Sequence, residues 1–142
     1  RETSVGRKYI NFELDNIGGG KTLFSGIVGA SEYTLLCFWG SWNGKSLSLL
    51  KELAKLCSVY KYKGLGFVTV SLDADTDDCR NVLSTGDIQG THLCNPSGGS
   101  AEVASAYGVY DLPCVLLVNS SGTIILRTRS VDDVLRKLEE VF

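Results

Sequence analysis

Leu36-Cys-Phe-Trp-Gly-Ser-Trp-Asn-Gly-Lys-Ser46 lies where the hydrophobic pattern of this chain changes its period. The run Thr34 to Trp39 is almost entirely apolar and has the length of a strand, which predicts a strand buried on both faces. From Gly44 to about Tyr62, apolar residues recur every three or four positions, which predicts an amphipathic helix capped by Asn43. A second apolar run, Phe67 to Leu72, follows. The segment therefore predicts a strand-helix-strand unit with parallel strands.

The chain on either side of this unit continues the α/β pattern. Tyr9 to Leu14 alternates apolar and polar residues, and the turn residues Asp15 to Gly20 connect it to Lys21 to Phe24, so an amino-terminal hairpin is expected. The elements predicted after the unit are a helix near Thr76 to Leu83, a strand Thr91 to Cys94, a helix Ala101 to Tyr107, a strand Cys114 to Val118, a turn Asn119 to Gly122, a strand Thr123 to Arg127 and a helix Ser130 to Phe142 capped by Ser130. Because no repeat or linker divides the chain, we expect residues 1–142 to form one domain.

Composition excludes several classes of function. The chain has 142 residues, 44% of them hydrophobic, and a net charge of −2, so neither nucleic acid nor an anionic membrane surface is an expected partner. Its apolar runs are too short to span a bilayer, so no membrane insertion of this domain is expected. The five cysteines form no CxxC pair, which argues against a disulfide framework. Because the chain begins at Arg1 rather than Met, we expect a mature or trimmed form.

Three stretches resemble the TlpA/ResA-type thiol-disulfide oxidoreductases, which belong with the AhpC/TSA proteins to the thioredoxin-like superfamily. Asn11-Phe-Glu-Leu with Gly20-Lys-Thr-Leu resembles the family's amino-terminal hairpin, Leu36 to Ser46 its strand and active-site loop, and Tyr107 to Gly122 the segment with its cis-proline. The resemblance implies a thioredoxin fold: a central mixed β-sheet with helices on both faces and an extra amino-terminal β-hairpin. It also implies a periplasmic or otherwise extracytoplasmic location, with or without a membrane anchor outside this chain.

The resemblance places the family's redox motif at Trp42-Asn43-Gly44-Lys45-Ser46, where both cysteines are missing. In the family, the helix N-terminus stabilises the first cysteine as a thiolate, and the second cysteine resolves the mixed disulfide. Asn43 and Ser46 offer no such nucleophile, so disulfide exchange by the usual mechanism is not expected. We expect these two residues to cap the helix instead.

A cleft beside Pro113 is the second candidate feature, because this residue matches the family's cis-proline. An extended segment of a protein or peptide partner could be added there as a strand, against an apolar wall formed by Trp39 and Trp42. The leading hypothesis is therefore a redox-inactive binding or accessory module.

The alternative hypothesis is a thiol-disulfide oxidoreductase or isomerase with relocated cysteines. Its candidate thiols are Cys94, at the carboxyl end of a predicted strand, and Cys114, directly after Pro113. For Cys37, Cys57 and also Cys114, inert packing in the core is the favoured expectation, because free cysteine is among the most buried residue types.

Two further chemistries find little support in the sequence. Gly40 to Ser46 resembles a phosphate-binding loop but is one residue too short, which leaves anion binding by Lys45 and the helix N-terminus as an option. The only histidine, His92, lacks the companions of a hydrolase triad or a metal site. Neither a cofactor nor a metal is expected.

Overall fold

The computed structural model describes residues 3–142, and its main sheet is mixed. Five strands lie in the order β5-β4-β3-β6-β7, with β3 parallel to β4 and antiparallel to β6, while β1 and β2 form a separate antiparallel pair. The strands are β1 (Glu13–Asp15), β2 (Lys21–Leu23), β3 (Tyr33–Trp39), β4 (Leu65–Ser71), β5 (Thr91–Cys94), β6 (Cys114–Asn119) and β7 (Ile124–Thr128).

Helices cover both faces of the main sheet. They are α1 (Phe24–Ala30), α2 (Gly44–Tyr60), α3 (Thr76–Thr85), α4 (Gly99–Ala106) and α5 (Val131–Val141). A single turn of 3₁₀ helix, Lys61–Lys63, follows α2. Gly64 ends it with φ 100°, a backbone conformation that glycine adopts without steric cost.

The side chains of the central strand β3 are buried on both faces of the main sheet. Leu35, Cys37 and Trp39 point into a core shared with α2, α3 and α5, which we call the α2 core. Leu36 and Phe38 point into a second core shared with α1 and α4, which we call the α1 core. All five side chains are fully buried, as expected of an apolar strand that has a strand neighbour on each side.

Residues near the amino terminus close the α1 core. The hydroxyl of Tyr107 donates to the carbonyl of Ile10 and accepts its N–H at 3.0 Å. The ring of Phe12 stacks on that of Phe24, with 4.8 Å between centroids. Thr3 donates its hydroxyl to the carbonyl of Tyr107 at 2.6 Å. These hydrogen bonds and the ring contact hold the amino-terminal residues against the α1 core.

Most of the predicted elements are confirmed, and three details are wrong. The sequence analysis did not predict α1, which begins at Phe24. The ring of Phe24 is buried in the α1 core, and this long-range packing leaves no local sequence signal. The first hairpin strand covers only Glu13–Asp15, and the side chains of Tyr9, Ile10 and Phe12 before it pack on the α1 core. Ser130 precedes α5 without a side-chain capping bond. Thr128 takes this role, accepting the N–H of Ser130 at 3.0 Å and donating to Asp133 at 2.6 Å.

Candidate functional site

Residues 40–46 comprise the loop after β3 and the first residues of α2, and we call them the motif loop. Their own side chains hold this segment in place. The side-chain oxygen of Asn43 accepts the N–H of Ser46 at 2.8 Å, and the N–H of Asn43 donates to the carbonyl of Gly40 at 3.1 Å. The hydroxyl of Ser46, which is fully buried, accepts the N–H of Gly40 at 3.3 Å. Asn43 thus caps α2 as the sequence predicts, whereas the expectation that the side chain of Ser46 also caps it is wrong, because its hydroxyl binds Gly40 before the helix.

The two tryptophans near this loop have different surroundings. Trp42 is 64% exposed, and its ring lies so close to Gly40 that a β-carbon there would be 2.5 Å from it. Trp39 is fully buried in the α2 core. The expectation that Trp39 forms part of a cleft wall is therefore wrong, because the last residue of β3 points under α2.

Pro113 is buried beside the start of α2, and the Leu112–Pro113 peptide bond is cis. Arg129, at the end of β7, donates to the carbonyl of Pro113 at 3.1 Å and to that of Leu112 at 2.8 Å. A groove of about 510 Å³ lies next to this contact. We call it the Pro113 groove; it is lined by Gly44, Lys45, Ser48, Leu49, Glu52, Pro113, Arg129 and Val131.

The carboxylate of Asp73, which the sequence analysis missed, is hydrogen-bonded to the motif loop. Asp73 is only 3% exposed and accepts the N–H of Ser41 at 3.1 Å. It also accepts the hydroxyls of Ser41 and Ser71. The available signal was its position after the buried run Phe67 to Leu72, because polar residues at the carboxyl ends of parallel strands gather at one edge of the sheet.

The five cysteines are all buried and none forms a disulfide, and the two predicted candidate thiols are far apart. Cys94 ends β5 and belongs to the α2 core, whereas Cys114 begins β6 and belongs to the α1 core. Because β4 and β3 lie between them, the separation is roughly 14 Å at the usual strand spacing. A disulfide needs α-carbons within about 7 Å, so the structure does not bring Cys94 and Cys114 together as a redox pair.

Cys94 instead shares its core with a thiol that the sequence analysis missed. Cys79, in the first turn of α3, is buried in the same α2 core as Cys94. Interaction with Cys79, with support from Ser71 and Thr76, lowers the pKa of Cys94 against the opposing effect of burial. The same interaction raises the pKa of Cys79 far above its usual value. The sequence signal was Cys79 itself, three residues into a predicted helix.

The other cysteines have the surroundings of packed core residues. Burial raises the pKa of Cys57 to about 12 and raises that of Cys37 further. Cys37 and Cys114 are on neighbouring strands but on opposite faces of the sheet. The expectation of inert packing for Cys37 and Cys57 agrees with these environments.

His92 makes two hydrogen bonds inside the fold. Its Nε2 donates to the carbonyl of Ile88 at 2.9 Å, so its Nδ1 accepts the hydroxyl of Thr69 at 2.7 Å. Burial lowers its pKa. Between residues 3 and 142, no group of three or more metal-binding side chains comes together, and no helix has the length and apolarity needed to cross a bilayer.

Together these features define the class of protein. A parallel β3-α2-β4 unit, a cis-proline beside the start of α2 and a closing β6-β7 hairpin form a thioredoxin fold. A family model described as Thioredoxin-like matches residues 31–124, and the chain belongs to this family.

Named relatives of the chain are thiol-disulfide oxidoreductases. The chain is 27% identical over 139 residues to the thiol-disulfide oxidoreductase ResA of Bacillus thuringiensis subsp. konkukian (strain 97-27), covering 96% of this chain and 75% of that protein. A thiol-disulfide oxidoreductase from Bacteroides fragilis NCTC 9343 is 28% identical, with a TM-score of 0.86 over 96% of this chain and 100% of that one. A thiol:disulfide interchange protein from Bacteroides sp., at 18% identity, shares the fold with a TM-score of 0.88 over 99% of this chain and 91% of that one.

Proposed function

We propose that this chain is a redox-inactive member of the thiol-disulfide oxidoreductases that works as a binding or accessory module. One observation carries the proposal: Asn43 and Ser46 replace the two motif cysteines, and their side chains are committed to structural hydrogen bonds, Asn43 as the cap of α2 and Ser46 as the acceptor of the Gly40 N–H. A carboxamide and a buried hydroxyl cannot attack a disulfide at neutral pH, since exchange requires a thiolate. The burial of all five cysteines supports the same conclusion, because no other thiol lies open at the motif loop.

The Pro113 groove is the proposed binding site for a protein or peptide partner. Leu49, Pro113 and Val131 supply apolar surface, while Lys45 and Arg129 supply positive charge beside the single carboxylate of Glu52. An extended segment added along residue 112 would compete with Arg129 for the carbonyl of Leu112. Partner binding would therefore free the Nη2 group of Arg129, which could then bind a carboxylate of the partner while its Nε still donates to the carbonyl of Pro113.

The alternative is an oxidoreductase or isomerase that uses relocated cysteines, with Cys94 as the favoured thiol because its neighbours lower its pKa. Cys94 is only 3% exposed, however, and Cys114 lies on the opposite face of the sheet. Relocated catalysis would thus require a local opening that exposes Cys94 to a substrate disulfide.

Reduction of insulin by dithiothreitol distinguishes the two functions. We expect the chain to leave the uncatalysed rate unchanged and its native thiols to react slowly with a thiol reagent. Clear catalysis that is lost in Cys94→Ser would contradict the binding module and support the alternative function. Catalysis that persists in Cys94→Ser would contradict both.

Binding at the Pro113 groove is tested with a display library of random linear peptides. We expect enriched peptides whose affinity falls in Arg129→Glu but not in Arg136→Glu, a charge-matched change on the exposed side of α5. Circular dichroism of both variants checks that the fold is retained. Enrichment of no peptide, or binding that is insensitive to Arg129→Glu, would contradict the proposed site.

We also infer that the chain works in the periplasm or another extracytoplasmic compartment. The inference rests on the resemblance to the TlpA/ResA-type proteins. Fractionation of the source bacterium with an antibody against this chain tests it. Recovery in the periplasmic or membrane fraction is expected, whereas recovery in the cytoplasm alone would contradict it.

A further inference from the structure

A second cavity lies on the α2 face of the main sheet, separate from the Pro113 groove. It has a volume of about 640 Å³ and is enclosed by α2, the start of β4 and residues 86–91, which connect α3 to β5. We call it the lysine cavity, after the side chains at its mouth. Its volume falls within the range of roughly 300–1,000 Å³ that is typical of small-molecule sites.

The floor of the lysine cavity is apolar. It is formed by side chains of the α2 core that keep 5–7% of their surface exposed, together with the half-buried Ala54 of α2. These core side chains are Cys57, Leu65, Phe67 and Ile88. A ligand with a hydrocarbon or aromatic body would cover this surface and remove it from water, which favours binding.

The wall opposite α2 is held in place by the fold. The Nε2 of His92 donates to the carbonyl of Ile88 at 2.9 Å, which ties residues 86–90 to β5. Gly90 has a φ of 137°, and a β-carbon there would lie 2.9 Å from the ring of Phe67. Glycine thus lets this loop pack closely against β4. Because the cavity is formed before any ligand arrives, little ordering of the chain would oppose binding.

The mouth of the cavity carries an excess of positive charge. Three lysines and two carboxylates line it: Lys51, Lys55, Lys61, Glu52 and Asp87. The Nζ of Lys55 lies 3.4 Å from the carboxylate of Glu52, so these two charges largely offset each other. Among residues 3–142, neither Lys51 nor Lys61 takes part in an ion pair. Two exposed ammonium groups can therefore bind an incoming anion.

We propose that the lysine cavity binds a small amphipathic anion, a molecule with one acidic group on an aliphatic or aromatic body, such as a medium-chain fatty acid. The body lies on Phe67 and Ile88, and the carboxylate stays at the mouth beside Lys51 and Lys61. An uncharged molecule of the same shape lacks the partner for these lysines, and a cationic one is repelled by them.

This site does not depend on the proposed partner binding at the Pro113 groove. Glu52 is the single lining residue that the two cavities share within residues 3–142. Lys51, Lys61 and Ala54 do not line the groove, so their substitution should leave peptide binding there unchanged. Failure of one site and failure of the other are therefore distinguishable.

The test uses three ligands with the same ten-carbon chain and different head groups. Decanoate, decanol and decyltrimethylammonium compete with the fluorescent probe anilinonaphthalene sulfonate for the full chain, all below their micelle-forming concentrations. We expect saturable probe binding, and displacement by decanoate at a concentration at least about tenfold lower than by the other two. Absence of saturable binding, or equal displacement by the three ligands, would overturn the proposal.

Charge-reversal variants locate the bound ligand. Lys51→Glu and Lys61→Glu should each weaken decanoate by about threefold to tenfold, with little effect on decanol. Lys8→Glu is the matched control, because Lys8 is also exposed but bridges to Thr123 next to β7, at the other edge of the main sheet. Binding that responds equally to all three changes would reflect net charge alone and would contradict the site.

A variant that fills the cavity tests the apolar floor. Ala54→Phe places a ring in the space above Phe67 and should abolish binding of both decanoate and decanol. Circular dichroism checks its fold, and the lysine variants, whose side chains are exposed, decide the matter if this variant does not fold. Undiminished decanoate binding in folded Ala54→Phe would place the ligand elsewhere and overturn the proposal.

Discussion

The side-chain oxygen of Asn43 lies 2.8 Å from the backbone nitrogen of Ser46 and accepts its hydrogen, so the first motif position caps the helix that carries the second. Replacing Asn43 by Ala leaves this N–H without its partner, and we expect the free energy of unfolding to fall by about 1 kcal/mol. Urea denaturation followed by circular dichroism measures the change.

Two variants control for this prediction. Asn43→Asp keeps an oxygen acceptor at the helix N-terminus and should retain the wild-type stability. Ser48→Ala, at an exposed position of the same helix, should change it by less than about 0.5 kcal/mol. A stability of Asn43→Ala equal to that of the wild type would show that the capping bond contributes nothing.

Thiol-disulfide chemistry should return when the motif cysteines are restored. In Asn43→Cys with Ser46→Cys, the first thiol lies at the start of α2, where the helix N-terminus stabilises a thiolate, and the second lies one turn later beside it. We expect measurable reduction of insulin by the double variant. The single variant Asn43→Cys should form mixed disulfides but fail to turn over, because it lacks a resolving thiol. A folded double variant without activity would mean that more than the two cysteines has been lost from the site.

Substitution of Asp73 should lower the free energy of unfolding clearly. Its carboxylate accepts bonds from Ser41 and Ser71 in a nearly buried setting, and an amide in its place turns one acceptor into a donor. We expect Asp73→Asn to lower the free energy of unfolding by about 1–3 kcal/mol. Glu139→Gln, an exposed change of the same chemical kind on α5, should cost less than about 0.5 kcal/mol. Equal effects of the two substitutions in urea denaturation would refute the supporting role of Asp73.

His92 should make stability depend on pH below neutrality. Burial keeps its pKa in the folded chain below the unfolded value of 6.5, so as pH falls through that value the unfolded chain binds the proton more readily. The free energy of unfolding should therefore fall between about pH 7 and pH 5, by up to about 1.4 kcal/mol per pH unit. Because His92 is the only histidine, His92→Gln should flatten this slope. A slope unchanged by the substitution would assign the pH dependence to other groups.

Local patterns were sufficient to predict most of the fold. The change from an apolar run to a helical period predicted β3, α2 and β4, and β5 was predicted with the bounds Thr91–Cys94 that the structure has. Asn43 was predictable as a cap because capping depends on residues only three positions apart. Helix α1 was missed because the packing of Phe24 against Phe12, rather than a local signal, holds its first residue.

The sequence by itself determined that the motif loop has no thiol nucleophile, since residue identity at positions 43 and 46 decides that chemistry. Only the tertiary structure decided what surrounds the loop: Asp73 supports Ser41 from 32 residues away, and Arg129 reaches the carbonyl of Leu112. It also separated Cys94 from Cys114, which lie in the cores on opposite faces of the sheet. These contacts depend on the strand order and on the face from which each helix packs, and neither is encoded in the spacing of residues along the chain.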